Sequence, residues 1–164
     1  MVKQARELGI IRGVACTNRA YEIAPWCDYL VGADKNFWRQ TPEALNFKGG
    51  KFAPMAVKGT IRFVPHDFIA GMNSGLYALC FLRELGAETI ILLGYDLGGR
   101  HFHGDHYHGL KTPKDSDFDI YKVQFTKFTG CDILNATRES ALGCFPTTTL
   151  ERALNGTQRI STGN

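Results

Sequence analysis

Four of the five histidines fall within eight positions, in the segment Gly98-Gly99-Arg100-His101-Phe102-His103-Gly104-Asp105-His106-Tyr107-His108-Gly109. Imidazole nitrogens at that density can ligate Zn²⁺ or Mn²⁺. Near neutral pH they can also take or give a proton. The spacing matches no closed zinc motif and is not HExxH. The chemistry expected is therefore acid–base work by His101 or His103, with His106 as the candidate metal ligand. The competing reading is a surface loop whose histidines are solvated or bond locally. Glycines on both sides suit a segment that moves over a site.

A second set of residues recurs at the ends of predicted strands: Asn18, Asp34, Asp96 and Asn135. Open parallel sheets bind ligands outside the carboxyl ends of their strands. Loops are polar for ordinary reasons too, so recurrence at one edge, rather than any single residue, points to a site. Asn73-Ser74-Gly75 opens an apolar helical run. A helix start offers unpaired N–H groups and a partial positive charge, which suit a phosphate, and Gly75 would let a ligand approach the backbone. Ordinary capping is the alternative. Arg19, Lys35 and Arg100 flank these strand ends, where each could neutralise a phosphate or be a surface cation.

The elements that must position these groups read as α/β. Ala5 to Gly9 ends a helix at Gly9. Gly13 to Cys16 and Tyr29 to Ala33 are short apolar strands, with a helical turn over Arg19 to Ile23 between them. Asn36 to Leu45 is helical but broken at Thr41-Pro42. Gly49-Gly50 is a turn, Lys51 to Val57 and Thr60 to Val64 are strand candidates, and Pro65 to Asn73 is a loop. Gly75 to Leu85 carries Leu76, Leu79, Cys80, Leu82 and Leu85, mostly at helical spacing, and Gly86 closes it. Thr89 to Leu93 is a β-branched apolar run, expected to be buried on both faces. Lys114 to Phe128 is a second helix candidate, Asp132 to Leu134 a final strand, and Leu150 to Leu154 a small terminal helix. A helix feeding a buried strand argues for a parallel sheet. The fold expected is a Rossmann-like three-layer sandwich in one domain, residues 1–154, followed by a frayed polar tail, 155–164.

The 164 residues suffice for one core, and 44 % are apolar, so no staples are needed. The net charge of +3 is spread along the chain without a basic block, so specific nucleic-acid binding is not expected. Cys16, Cys27, Cys80, Cys131 and Cys144 are odd in number and lack CxxC spacing, which argues for reduced thiols. Cys16, Cys80 and Cys144 sit in apolar runs and read as small hydrophobes. No stretch is long enough to span a bilayer and the start lacks a signal-peptide core, so a cytoplasmic location is expected.

Ser74-Gly75-Leu76-Tyr77-Ala78-Leu79, Leu85-Gly86-Ala87 and Ile90-Ile91-Leu92-Leu93-Gly94-Tyr95-Asp96-Leu97 together resemble a block shared by family-42 sialyltransferases and a domain family related to 6-hydroxymethyl-dihydropterin pyrophosphokinase. Over residues 10–154 the chain looks still more like short proteins of tailed-bacteriophage genomes. The matching pieces are Asn18-Arg19-Ala20-Tyr21, Ala24-Pro25-Trp26-Cys27-Asp28, Asp34 with Trp38, His101-Phe102-His103-Gly104-Asp105-His106, and Asn135-Ala136-Thr137 with Phe145-Pro146. The resemblance implies a Rossmann-like nucleotide-binding fold. In the sialyltransferases the donor is a cytidine nucleotide-sugar, the positions matching Asn18 and Ser74-Gly75 line the nucleotide, and a histidine is the base. In the pyrophosphokinase relatives ATP and Mg²⁺ take the donor's place, and Asp34 and Asp96 would suit the metal. Those families open with a strand and a "G.GPSL" turn that holds phosphates; this chain begins with what should be the helix after it.

The function expected is a nucleotide- or nucleotide-sugar-dependent transferase, glycosyl or pyrophosphoryl, with Mg²⁺ or Mn²⁺ as cofactor and phage-encoded. His101, His103 and Asp96 would be catalytic. Asn18, Arg19, Asp34, Asn73, Ser74, Gly75 and Asn135 would hold the nucleotide, and Asp34, Asp96 and His106 the metal. The alternative is a non-catalytic nucleotide-binding accessory or morphogenesis protein. No membrane partner is expected, and a homo-oligomer is compatible with the sequence.

Overall fold

The computed structural model describes residues 1–98 and 115–161, with side chains over 1–98 and 116–156. Its architecture is α/β, and every strand pair is parallel. The strands do not form one sheet. β1 (Ala15–Thr17), β2 (Tyr29–Val31), β3 (Gly50–Ala53) and β4 (Ile61–Arg62) pair in chain order, while β5 (Thr89–Leu92) and β6 (Asp132–Asn135) form a separate two-stranded sheet. In register, Ala15 faces Tyr29, Tyr29 faces Gly50, and Thr89 faces Asp132.

Among the described residues five helices accompany the strands: α1 (Val2–Glu7), α2 (Lys35–Gln40), α3 (Ser74–Glu84), α4 (Asp115–Phe125) and α5 (Leu150–Ser161). Their ends follow the punctuation in the sequence. Gly9, at φ 72°, stops α1, and Gly86, at φ 86°, stops α3. Thr41-Pro42 breaks the second helix, and a 3-10 turn over Pro42–Asn46 follows. α5 is longer than expected. Instead of a frayed tail from residue 155, the helix continues through Gly156 to Ser161, because one glycine weakens a helix without ending it.

The central element is α3. Ser74, Leu76, Tyr77, Ala78, Leu79, Cys80 and Phe81 are all buried along it. It contacts β1 and β2 and shares a core with Ile90, Leu92, Phe125 and Ile133. A second core lies within the first third of the chain, around Leu30, Phe37, Trp38, Ala44 and Phe47. β5 is less enclosed than its composition suggests. Ile90 and Leu92 are buried, Thr89 and Ile91 only half-buried, and Leu93 is exposed. Half of the strand therefore lacks a packed layer. The five cysteines are free thiols. Cys16, Cys27 and Cys80 are buried, whereas Cys144 is exposed, contrary to its apolar neighbourhood in sequence. Among the described residues no helix is long and apolar enough to cross a membrane.

An ion pair ties α1 to the residue before β2. Arg6 makes a two-pronged pair with Asp28, Nε and Nη2 each donating at 2.8 Å, and the Val14 N–H donates to the same carboxylate. The Arg6 hydrogen bond is the main reason that the Asp28 carboxyl lies below its ordinary value of 3.8. A carboxyl depressed in the folded state adds stability above its unfolded pKa and loses it as protons bind below. Stability should therefore fall as pH drops below about 4, and Asp28→Asn should flatten that part of the curve. Urea midpoints at pH 7 and pH 3 for both proteins measure the difference.

Candidate functional site

β1, β2 and β5 all end at the amino terminus of α3. Asn18, which follows β1 directly, adopts a left-handed backbone at φ 47°, a conformation that asparagine tolerates better than most residues. This turns its side chain onto the helix start, where Ser74 Oγ donates to Asn18 Oδ1 at 3.0 Å. The Ala33 N–H, just past β2, donates to the same Ser74 Oγ at 3.0 Å. On the other side Tyr95, beyond β5, donates its hydroxyl to the Gly75 carbonyl at 3.2 Å. The strands thus point the same way, antiparallel to α3, and their polar ends converge.

The remaining predicted residues take several different roles. Asn73 caps α3, its Oδ1 accepting from the Leu76 N–H at 2.9 Å, and Asp34 caps α2, its Oδ1 accepting from the Asn36 N–H at 2.7 Å. Asp34 is exposed beside Ala33 at the convergence. Arg19 pairs with Glu22 through two bonds of 2.6 and 2.8 Å, so a phosphate there would have to compete with that carboxylate.

Two residues serve the fold in ways the sequence reading did not foresee. Asn135 is fully buried. Its amide donates to Ser140 Oγ and to the Leu142 carbonyl and accepts from the Thr137 N–H. That side chain holds the loop after β6 and presents nothing to a ligand. Gly75 is demanded by protein packing, because a Cβ there would sit 2.9 Å from the Tyr95 ring.

Asp96 is exposed beyond Tyr95, and its carbonyl accepts from the Ala141 N–H at 2.7 Å. Among the described residues nothing joins the Asp96 and Asp34 carboxylates into one ligand set. The only group of three metal-binding side chains there is His66, Asp67 and Glu84. It lies toward the carboxyl end of α3, about 15 Å from Ser74 along the helix. Arg83 already occupies it, with Nη2 donating to Asp67 at 2.8 Å and lying 3.6 Å from Glu84. A guanidinium in that position neutralises the carboxylates that a cation would need, so this cluster reads as a structural knot. His101, His103, His106 and Arg100 lie outside the described residues.

Sequence reasoning missed the aromatic and amide groups that border the convergence. Tyr121 of α4 has its phenol pushed upward by burial first and then by the negative charges of Asp117 and Asp34, which puts α4 on the Asp34 side. Gln124 Oε1 accepts from Asn73 Nδ2 at 3.4 Å. The helical spacing of Phe118, Tyr121 and Phe125 showed α4 as an element, but nothing local in the sequence paired it with Asp34.

The Ser74 clasp has a measurable cost of removal. Ser74→Ala leaves the Ala33 N–H and Asn18 Oδ1 without the hydroxyl that serves both, at a site where Ser74 is 7 % exposed. A loss of about 1–3 kcal/mol is expected, read as a lower urea midpoint with an unchanged m-value.

Comparison with family models, with curated proteins and with solved structures finds no match for this chain.

Proposed function

We propose that this chain binds a nucleotide or nucleotide-sugar at the carboxyl ends of β1, β2 and β5 and acts on it as a transferase, glycosyl or pyrophosphoryl. The observation that carries the reading is the Ser74 hydroxyl, which draws the ends of β1 and β2 onto the start of an eleven-residue helix. The first turn of that helix supplies N–H donors and positive potential for a phosphate. Asn18 and the exposed Asp34 stand beside it to meet the sugar or base. In this reading His101 or His103 takes the acceptor's proton. Mg²⁺ or Mn²⁺ belongs to the proposal only as an additive to test, because Asp34 and Asp96 are not gathered into one set.

A melting-temperature screen against cytidine and adenosine nucleotides and their sugar conjugates, with and without Mg²⁺ or Mn²⁺, tests the binding. A ligand at 100 times its dissociation constant adds about 2.7 kcal/mol, a plain upward shift. Asp34→Ala should shrink that shift, read against its own ligand-free melt, which falls by about 0.5–2 kcal/mol because Asp34 also caps α2. Silence toward every nucleotide would sink the reading.

A second reading, a non-catalytic nucleotide-binding accessory or morphogenesis protein of a phage, draws support from the internal bonds of Ser74, Asn73 and Arg19. Binding without product, insensitive to His101→Ala and His103→Ala, would favour it.

A further inference from the structure

Two of the buried thiols meet across the first strand pair. Cys16 lies on β1 and Cys27 two residues before β2. Both belong to the core around Leu30, Phe37 and Trp38, and they are 5 % and 6 % exposed. The pairing of β1 with β2 brings them together. Cys16 faces Leu30 in register, and the Val14 carbonyl accepts from the N–H groups of both Asp28 and Tyr29. The chain entering β2 is thereby laid against the start of β1. Cys16 Sγ donates to the Tyr29 carbonyl at 3.4 Å and lies within hydrogen-bonding reach of the Cys27 thiol.

This contact gives the two sulfurs different chemistry. Cys16 has a single S–H proton, which can turn from the Tyr29 carbonyl to the Cys27 sulfur when Cys27 ionises. The bond to Cys27, helped by burial, holds the Cys16 thiol well above the ordinary value of 9.0. The same bond lowers the Cys27 thiol, against burial and the charge of Asp28, which both raise it. A thiolate is the attacking form of cysteine, and a neighbouring thiol resolves a sulfur that has been oxidised. Two small hydrophobes would fill the same core space without a donor facing a thiolate.

The surroundings suit a small oxidant. One segment joins the pair, the 3-10 turn Asn18–Glu22 and the residues after it. Ala20, Tyr21, Ala24 and Trp26 pack onto the shared core, while Glu22, Ile23 and Pro25 are exposed. A single layer of chain therefore separates this part of the core from solvent.

We propose that Cys16 and Cys27 form a reversible dithiol–disulfide site, oxidised by a small hydroperoxide. The Cys27 thiolate attacks one peroxide oxygen and the O–O bond breaks. Cys27 becomes a sulfenic acid, and the hydroxide that leaves takes up the proton first lost by Cys27. The Cys16 sulfur then attacks the Cys27 sulfur, the S–O bond breaks, and the Cys16 proton leaves with that oxygen as water. Two thiols and one hydrogen peroxide give one disulfide and two waters, with two electrons passing from sulfur to oxygen. The sulfurs close to about 2.05 Å, and Cys16 gives up its bond to the Tyr29 carbonyl. The bridge needs neither Ser74 nor a nucleotide, so it stands apart from the nucleotide reading.

The probe is hydrogen peroxide, added to the reduced and folded protein before alkylation and tryptic digestion without reductant. Cleavage after Arg12, Arg19 and Lys35 leaves Cys16 on residues 13–19 and Cys27 on residues 20–35. These two peptides should be recovered joined, lighter than their sum by two hydrogens, and dithiothreitol should separate them. In the oxidised protein, amide exchange at Ala24 and Cys27 should slow about tenfold, because the bridge restrains the segment between the sulfurs. Cys16→Ala should stop at a sulfenic acid on Cys27, trapped by a cyclic diketone, and Cys27→Ala should leave Cys16 unmodified. Should either variant fail to fold, the peptide map of the unaltered protein decides. Oxidation of the exposed Cys144 with Cys16 and Cys27 both still alkylated overturns the proposal. A bridge that forms only in urea also overturns it, because it would then belong to the unfolded chain.

Discussion

Phe81→Ala is expected to cost about 3–5 kcal/mol, close to the whole stability of a marginal domain. Phe81 is fully buried on α3. Its ring lies 5.3 Å from Tyr29, 4.5 Å from Phe52 and 5.2 Å from Phe63, centroid to centroid. Three segments of the four-stranded sheet thus meet one side chain, and neither Tyr29 nor Phe52 can follow an alanine inward without leaving its strand register. Much of the ring volume should remain as a cavity, which places the cost at the upper end of the range. Thermal and urea unfolding measure it. Phe81→Leu separates volume from aromatic contact and should recover more than half the loss. A cost under about 1 kcal/mol for Phe81→Ala would mean that α3 does not pin the sheet as described.

Gly49→Ala is the second large effect, about 3 kcal/mol, and it comes from backbone. A Cβ at Gly49 would run into the Asp28 carbonyl and come within 2.7 Å of the Phe47 ring. That carbonyl also accepts the Gly50 N–H at 2.9 Å, the bond that starts the pairing of β3 with β2. A backbone carbonyl just before a strand cannot swing aside as a flexible side chain can, so β3 must shift or the bond must open. Gly143→Ala, where an added Cβ would meet nothing within 4 Å, is the control and should be within about 0.5 kcal/mol of neutral. Equal costs at the two positions would remove the steric explanation.

The punctuated parts of this fold were legible in the sequence. α3 could be read from Asn73 to Gly86 because its cap, its apolar stripe and its glycine stop agree, and the broken second helix could be read from Thr41-Pro42. The split of the sheet was not legible. Strand propensity says where the chain is extended, not which edge finds a partner, and the unpaired side of β5 shows only in the half-buried Thr89 and Ile91. The site was legible in part for the same reason. Ser74, Asn18 and Asp34 sit at element ends that the sequence marks, and they converge. Asn135 looked the same in sequence but is fully enclosed by Ser140 and Leu142, because the distinction depends on a loop that folds back over it. Gly75 suggested room for a ligand, and a tyrosine twenty positions away uses that room instead.

The four-stranded sheet also bears on how the protein comes to be folded. Its strands lie side by side in the order in which they are synthesised, and the cluster around Leu30 and Trp38 draws only on residues 14–57. Neighbour-to-neighbour pairing keeps the loop closures shorter than pairing with distant strands would. An amino-terminal unit ending near Arg62 can therefore gather its own interior from residues close in sequence. On that route the helix arrives as a clamp on a platform already begun.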